Sequence, residues 1–245
     1  MKTNNKILEK LEYSLDVLTV SVFLLLLLIS VYAIIDVNKV NRSAILDKQV
    51  TELAPEDDDS DIDFDELRSI NPEILAWIKI NNTNINYPVV QSKDNKKYLV
   101  RDYKEEYSAA GSIFLDYRNN GFNDDYSLVY GHRMSGDIMF GGIHEFEDAT
   151  YFDTHTDGVL YTEDAVYDLS IISYSVVNIG QTQLYDLARI RNNNNDQILQ
   201  EALTDAVNYR DVEVSADDKL ILLSTCDKDS NHYRDVILAK MITIE

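Results

Sequence analysis

Apolar and polar positions along the chain fall into three regimes. From Val17 to Ile35 every position is uncharged, and Leu, Val and Ile dominate. At 1.5 Å rise per residue this run makes a helix of about 28 Å, close to the hydrocarbon thickness of a bilayer. It predicts a transmembrane helix. From Lys48 to Arg68 basic residues vanish and acids crowd in, among them Glu52, Glu56, Asp57, Asp58, Asp59, Asp61, Asp63, Asp65 and Glu66. Like charges at this density repel and extend a chain, which predicts a solvated stalk. Beyond it, short apolar runs alternate with polar turns to the end. The organisation expected is a cytoplasmic tail over 1–16, an anchor over 17–35, a stalk over 36–63 and a folded domain over 64–245.

Within the folded part, Asn71-Pro72-Glu73 carries a cap residue, a proline and an acid, which together predict a helix start. Ile74, Leu75 and Ile78 would be its apolar face, with Trp77 beside it. After the turn Asn81 to Asn84 the pattern changes to strands. Ile85 to Val90 is one, with Pro88 suggesting an edge or a bulge. Gly111 to Tyr117, Tyr126 to Tyr130, Val159 to Tyr161 and Val166 to Val177 are others. Ile138 to Phe146 predicts a helix weakened by Gly141 and Gly142. Ile198, Leu199, Ala202, Leu203, Ala206 and Val207 recur at helical spacing and predict a helix over 196–209. Two last strands, Leu220 to Leu223 and Val236 to Met241, flank a polar loop. Many short strands with a few helices between them predict a mainly β barrel or sandwich.

The net charge of −21 on 245 residues argues against nucleic acid as a partner, because phosphate binding needs clustered Lys and Arg. The single cysteine excludes an internal disulfide. No metal or cofactor is expected. Asp59-Asp61-Asp63 starts like a calcium loop, but Phe64 stands where the turn requires glycine. Asp227-Asp229-Asn231 fails likewise, with His232 at the turn and Leu238 at the bidentate position. Lys2, Lys6 and Lys10 precede the apolar run and Lys39, Arg42 and Lys48 follow it, so the charge rule for orientation is nearly balanced. The expectation is a short tail inside and the large domain outside. Val31-Tyr32-Ala33 resembles a signal-peptidase site, but the run is longer than a usual signal core, which favours an uncleaved anchor.

The chemistry gathers at Leu223-Ser224-Thr225-Cys226. A lone cysteine is as a rule a small buried hydrophobe. Here, though, it leaves a strand, and Arg234 opens the next one across a short loop. A nearby cation favours the reactive thiolate. Four histidines could carry its proton. His132 follows the strand Leu128-Val129-Tyr130 and Gly131, so it too sits at a strand exit. His144 and His155 lie in acid-rich stretches and are expected to face solvent. His232 lies in the cysteine loop, and spacing leaves it open.

Tyr130-Gly131-His132, then Thr225-Cys226, then Arg234 at the start of the last strand, resembles the His, Cys and Arg signature of sortases. Asp94 to Leu99 after Tyr87 to Gln91 is similar to class B sortases, as is the helix-bearing connection over 191–215. The resemblance covers roughly Phe64 to Glu245. It implies a closed eight-stranded β-barrel with added N-terminal helices, acting outside the membrane of mainly Gram-positive bacteria. It implies a cysteine transpeptidase that cleaves a sorting signal near the C-terminus of a surface protein. The acyl group passes through a thioester to an amine, from a peptidoglycan cross-bridge or a pilin lysine. Cys226 would be the nucleophile, His132 the proton carrier and Arg234 the oxyanion donor. Asn95, Leu99, Ser224 and Asp227 would line the sorting-signal groove. Their ordinary readings are a turn for Asn95, core packing for Leu99 and a loop cap for Asp227.

Two other function classes compete. A non-enzymatic membrane-anchored ectodomain would use Cys226 and His132 for packing alone. A papain-like hydrolase would place its cysteine at a helix start ahead of the histidine, which is the reverse of the order here.

Overall fold

The computed structural model describes residues 2–43, 48–55, 62–187, 195–225 and 232–244. The chain divides into two units, Met1–Arg42 and Ser43–Glu245. The first is the helix α1 (Lys2–Ser43). Its stretch Lys10–Val37 is long and apolar enough to cross a membrane.

The second unit is built on nine strands: β1 (Ile74–Ile80), β2 (Asn86–Val90), β3 (Ile113–Leu115), β4 (Tyr126–Gly131), β5 (Asp157–Thr162), β6 (Val166–Asn178), β7 (Ala206–Tyr209), β8 (Lys219–Thr225) and β9 (Tyr233–Thr243). Their order is β5-β1-β2-β3-β4-β8-β9-β6-β7, and β5 also pairs with β6. That extra pairing closes eight strands into a barrel, with β7 appended to β6. Closure leaves the barrel strands no open edge.

Alternation along the strands separates the inside from the outside. Ile78, Val89, Leu115, Val129, Leu160, Ile171, Leu223 and Ile237 meet in the barrel interior. On one outer face Leu128, Leu222, Val236 and Leu238 pack with Leu184, Ile198 and Ala202. Ile198 and Ala202 belong to helix α4 (Asn195–Thr204). On another outer face Trp77, Phe114, Val159 and Tyr161 are covered by Leu67 and Tyr98. Leu67 belongs to α3 (Phe64–Ile70), whose N-cap Asp63 accepts the amide of Glu66. Val50, in the short helix α2 (Lys48–Thr51), is fully buried in the same cluster. The compact unit therefore takes in residues ahead of Phe64. Residues 56–61, the most acidic part of the expected stalk, lie outside the described residues.

Three expectations are corrected. Ile74 to Ile80 is strand β1 and not a helix. Asn71 ends α3, and its side chain accepts the amide of Glu73 and donates to Tyr98 Oη and the Tyr103 carbonyl. It caps a turn into a strand, so the cap signal was local and the pairing of Ile74–Ile80 with β2 and β5 decided the element. The predicted helix over 196–209 stops at Thr204, because Ala206 to Tyr209 pairs with β6. Ile138 to Phe146 holds no α-helix; a 3-10 segment runs from Gly141 to Glu147, after Asp137 and Met139 at positive φ.

Pro88 sits opposite Trp77, and the β2–β3 ladder begins only at Val89. The residue without an N–H thus lies where its strand has no partner on that side. A bulge falls opposite this stretch, between Ile74 and Ala76.

Candidate active site

Sheet register brings three chain segments to one end of the barrel. β4 and β8 run parallel, with Tyr130 opposite Ser224 and Gly131 opposite Thr225. His132 is the next residue after β4. β9 is antiparallel to β8, with Val236 opposite Ser224, so its first residues Tyr233 and Arg234 lie at the same end. Parallel strands in register must release their chains side by side, which is why two distant sequence motifs meet.

A cavity of about 230 Å³ opens at this end. Asn95, Leu99, Phe114, Tyr130, Gly131, His132, Ser224, Thr225 and Arg234 line it. It therefore gathers five of the residues picked out above: His132, Arg234, Asn95, Leu99 and Ser224. Cys226 and Asp227 lie outside the described residues.

Each of the five is held in a definable way. His132 Nε2 is 2.8 Å from the Leu99 carbonyl oxygen. A carbonyl only accepts, so Nε2 carries the proton of this bond. Leu99 closes a 3-10 turn over Lys97–Leu99, whose start is fixed by Asp94 Oδ1 accepting the amides of Lys96 and Lys97. Leu99 is 38% exposed, so it is no core residue. Asn95 donates to Asp116 Oδ2 at 2.9 Å and accepts the Tyr117 amide. It both shapes a turn and lines the cavity. Ser224 is buried, with its Oγ 2.8 Å from Tyr185 Oη. Arg234 donates Nη1 to the Tyr233 carbonyl at 2.7 Å.

Beneath the cavity lies a group that sequence reasoning missed. Asp116 is fully buried. Arg118 grips it through Nε and Nη2, both at 2.8 Å. Tyr130 Oη donates to it at 3.0 Å. Burial pushes the Asp116 carboxyl up, but the Arg118 and Asn95 hydrogen bonds outweigh it and hold the group below the usual carboxylate range. Burial, and then the Asp116 charge, push the Tyr130 phenol well up, so it stays a neutral donor. Tyr130 also stacks against Tyr185 and tilts onto Phe114. The one sequence signal was an acid closing the apolar run Ile113-Phe114-Leu115.

The other histidines stand apart from these lining residues. His155 stacks on Tyr151 with ring centroids 3.7 Å apart, and His144 Nδ1 donates to the Gly141 carbonyl. Both are half-buried, where solvent-facing rings were expected. His232 is exposed.

The family profile described as Sortase domain matches residues 78–242. Sortase B of Listeria monocytogenes is 35% identical over 183 residues, covering 73% of each chain. The chain belongs to the class B sortases. Its reaction class is that of a cysteine transpeptidase. Among solved class B sortases, the Staphylococcus aureus sortase B–substrate complex superposes with a TM-score of 0.68 at 30% identity, over 74% of this chain and 85% of the other. A Streptococcus pyogenes class B sortase involved in pilus biogenesis gives 0.67 at 29% identity, over 73% and 97%.

Proposed function

We propose that this sortase cleaves a C-terminal sorting signal of surface proteins through a thioester on Cys226 and passes the acyl group to an amine of peptidoglycan. The observation that carries the reading is the parallel register of β4 and β8, with Arg234 at the same barrel end and one cavity touching all three segments. The Cys226 thiolate adds to the scissile carbonyl, and the charge that develops on its oxygen meets the Arg234 fork. The C–N bond breaks as His132, as imidazolium, protonates the leaving amine. The incoming amine then adds to the thioester, gives its proton to His132, and the C–S bond breaks to restore the thiolate. With Nε2–H held by the Leu99 carbonyl, Nδ1 is the nitrogen left to exchange a proton. Asn95, Leu99, Ser224 and Asp227 line the groove for the signal peptide, and Tyr130 and Phe114 supply its apolar wall. Helix α1 serves as a single-pass anchor, with the tail before it inside and the barrel outside.

A pilin lysine is the second acceptor to test, because a structural neighbour is a class B sortase involved in pilus biogenesis. The deciding experiment incubates the full chain in detergent with a sorting-signal peptide library, cross-bridge amines and pilin peptides. Intact-mass detection of an acyl-enzyme on Cys226, then of amide product, supports the reading. Turnover with no adduct on Cys226 overturns it.

A further inference from the structure

Strand alternation makes neighbours in sequence face opposite sides of the barrel wall. In β9, Ile237, Ala239 and Met241 point into the barrel, while Val236 and Leu238 point out. In β4, Val129 points in, while Tyr126 and Leu128 point out. Continuing both patterns, His132 and Arg234 belong to the outer face that carries the cavity, and Arg133 and Asp235 to the inner face behind it. There the two inner residues meet. Arg133 Nη1 donates to Asp235 Oδ2 at 2.9 Å. Asp235 is 3% exposed, and its other oxygen accepts Tyr174 Oη at 3.0 Å. Tyr174 is itself buried in the interior cluster.

The topology gives this pair a particular reach. β8 lies between β4 and β9 in the sheet. The ion pair therefore spans the end of β8, behind Thr225, and ties the residue after His132 to the residue after Arg234. Asp235 is fixed from the barrel core by Tyr174, and Arg133 from its own loop by the bridge to Met139. Buried ion pairs are poor sources of stability, because desolvation offsets their attraction and apolar pairs of like volume do as well. Ile237 and Val176 beside the pair are apolar, as a barrel interior prefers. What a charged pair adds is a short, directional tether. We propose that Arg133 and Asp235 are positioning residues that set the separation of His132 from Arg234 across the end of β8, one residue ahead of Cys226 in the sequence. The inference rests on the roles given to His132 and Arg234 above.

The test separates position from stability. The full chain in detergent carries Asp235→Asn, Arg133→Lys, or Arg133→Met with Asp235→Leu. Thioester formation is followed in single turnover with a peptide the wild type accepts, beside thermal unfolding. Asp235→Asn should acylate at least about tenfold more slowly, with the peptide concentration for half-maximal rate changed less than about threefold. Arg133→Lys, which keeps a donor, should recover part of the rate. The apolar double variant should melt at or above the wild-type temperature and still acylate about tenfold slowly. A stable double variant within about twofold of the wild-type rate overturns the proposal. If the wild type forms no acyl-enzyme, the catalytic reading has failed and a second arm still decides this one. The chain has four histidines, so histidine labelled at the ring Cε1 alone gives one signal per ring, and His132→Gln assigns that of His132. A shift confined to the His132 ring in the double variant supports the tether, and an unmoved His132 signal overturns it.

Discussion

Nε2 of His132 donates to the carbonyl of Leu99, thirty-three residues earlier in the chain. The bond anchors the ring to a turn that belongs to the cavity rim. His132→Gln can keep a side-chain N–H for that carbonyl but cannot shuttle a proton. It should melt within a few degrees of wild type and lose on the order of 100- to 10,000-fold in transfer. His144→Ala and His232→Ala should keep most activity. His155→Ala removes a ring stacked on Tyr151 and should cost about 1 kcal/mol of stability with transfer largely kept. A transfer assay beside thermal unfolding reads all four, and a sensitive His232 would move the proton carrier into the loop.

Cys226→Ala should abolish the covalent adduct with a substrate peptide while leaving the fold intact. A small thiol-directed reagent distinguishes catalysis from packing in the wild type. Rapid labelling at neutral pH fits a nucleophile with thiolate character, and slow labelling fits a buried structural thiol. Residual turnover in Cys226→Ala would end the thioester mechanism.

Much of this arrangement was legible because strand exits leave a local mark. An apolar run followed by Gly131-His132, and another followed by Thr225-Cys226, can be read without tertiary knowledge. Helix α4 was legible at its apolar face, but not at its end. Val207 and Tyr209 are as compatible with a strand as with a helix, and pairing with β6 decided between them. The Asn-Pro-Glu signal misled for the same reason: Asn71 satisfies backbone groups at a turn, and nothing local says which element follows. Asp116 and the Arg133–Asp235 pair were invisible because their meaning lies in partners far along the chain. An aspartate after an apolar strand reads as a turn until Arg118, Asn95 and Tyr130 are seen around it.

Asp116 yields a pH prediction. Its folded pKa is lowered relative to the unfolded carboxylate, near 3.9 in peptides. Its contribution to stability is therefore complete above about pH 4 and is lost as pH falls through the folded value. Asp116→Asn should be less stable at pH 7 by on the order of 1–3 kcal/mol, since it leaves the Arg118 fork without its anion. The deficit relative to wild type should shrink as pH falls below about 4. Denaturant unfolding at pH 7, 4 and 3 measures it, and a deficit constant with pH would mean that the carboxylate charge is not the source. The same variant loosens Asn95 and Tyr130, so the peptide concentration for half-maximal acylation should rise.

Arg234 separates charge from geometry most sharply. As a surface cation in an acidic protein, it would accept Lys at a cost within about 0.5 kcal/mol. As the oxyanion donor, it needs the planar fork, and its Nη1 contact with the Tyr233 carbonyl holds that fork at the cavity wall. Lysine keeps the charge on a flexible stem and loses both the fork and the contact geometry. Loss of one oxyanion donor costs on the order of 100- to 1,000-fold in turnover. Arg234→Lys should keep its melting temperature and fall at least about tenfold in acylation, with Arg234→Ala lower still. Single-turnover thioester formation beside thermal unfolding decides between the two. Near-normal acylation in Arg234→Lys would leave the residue a charge only. A collapse of stability would make it structural, and the oxyanion donor would then have to be sought among the backbone amides beside Cys226.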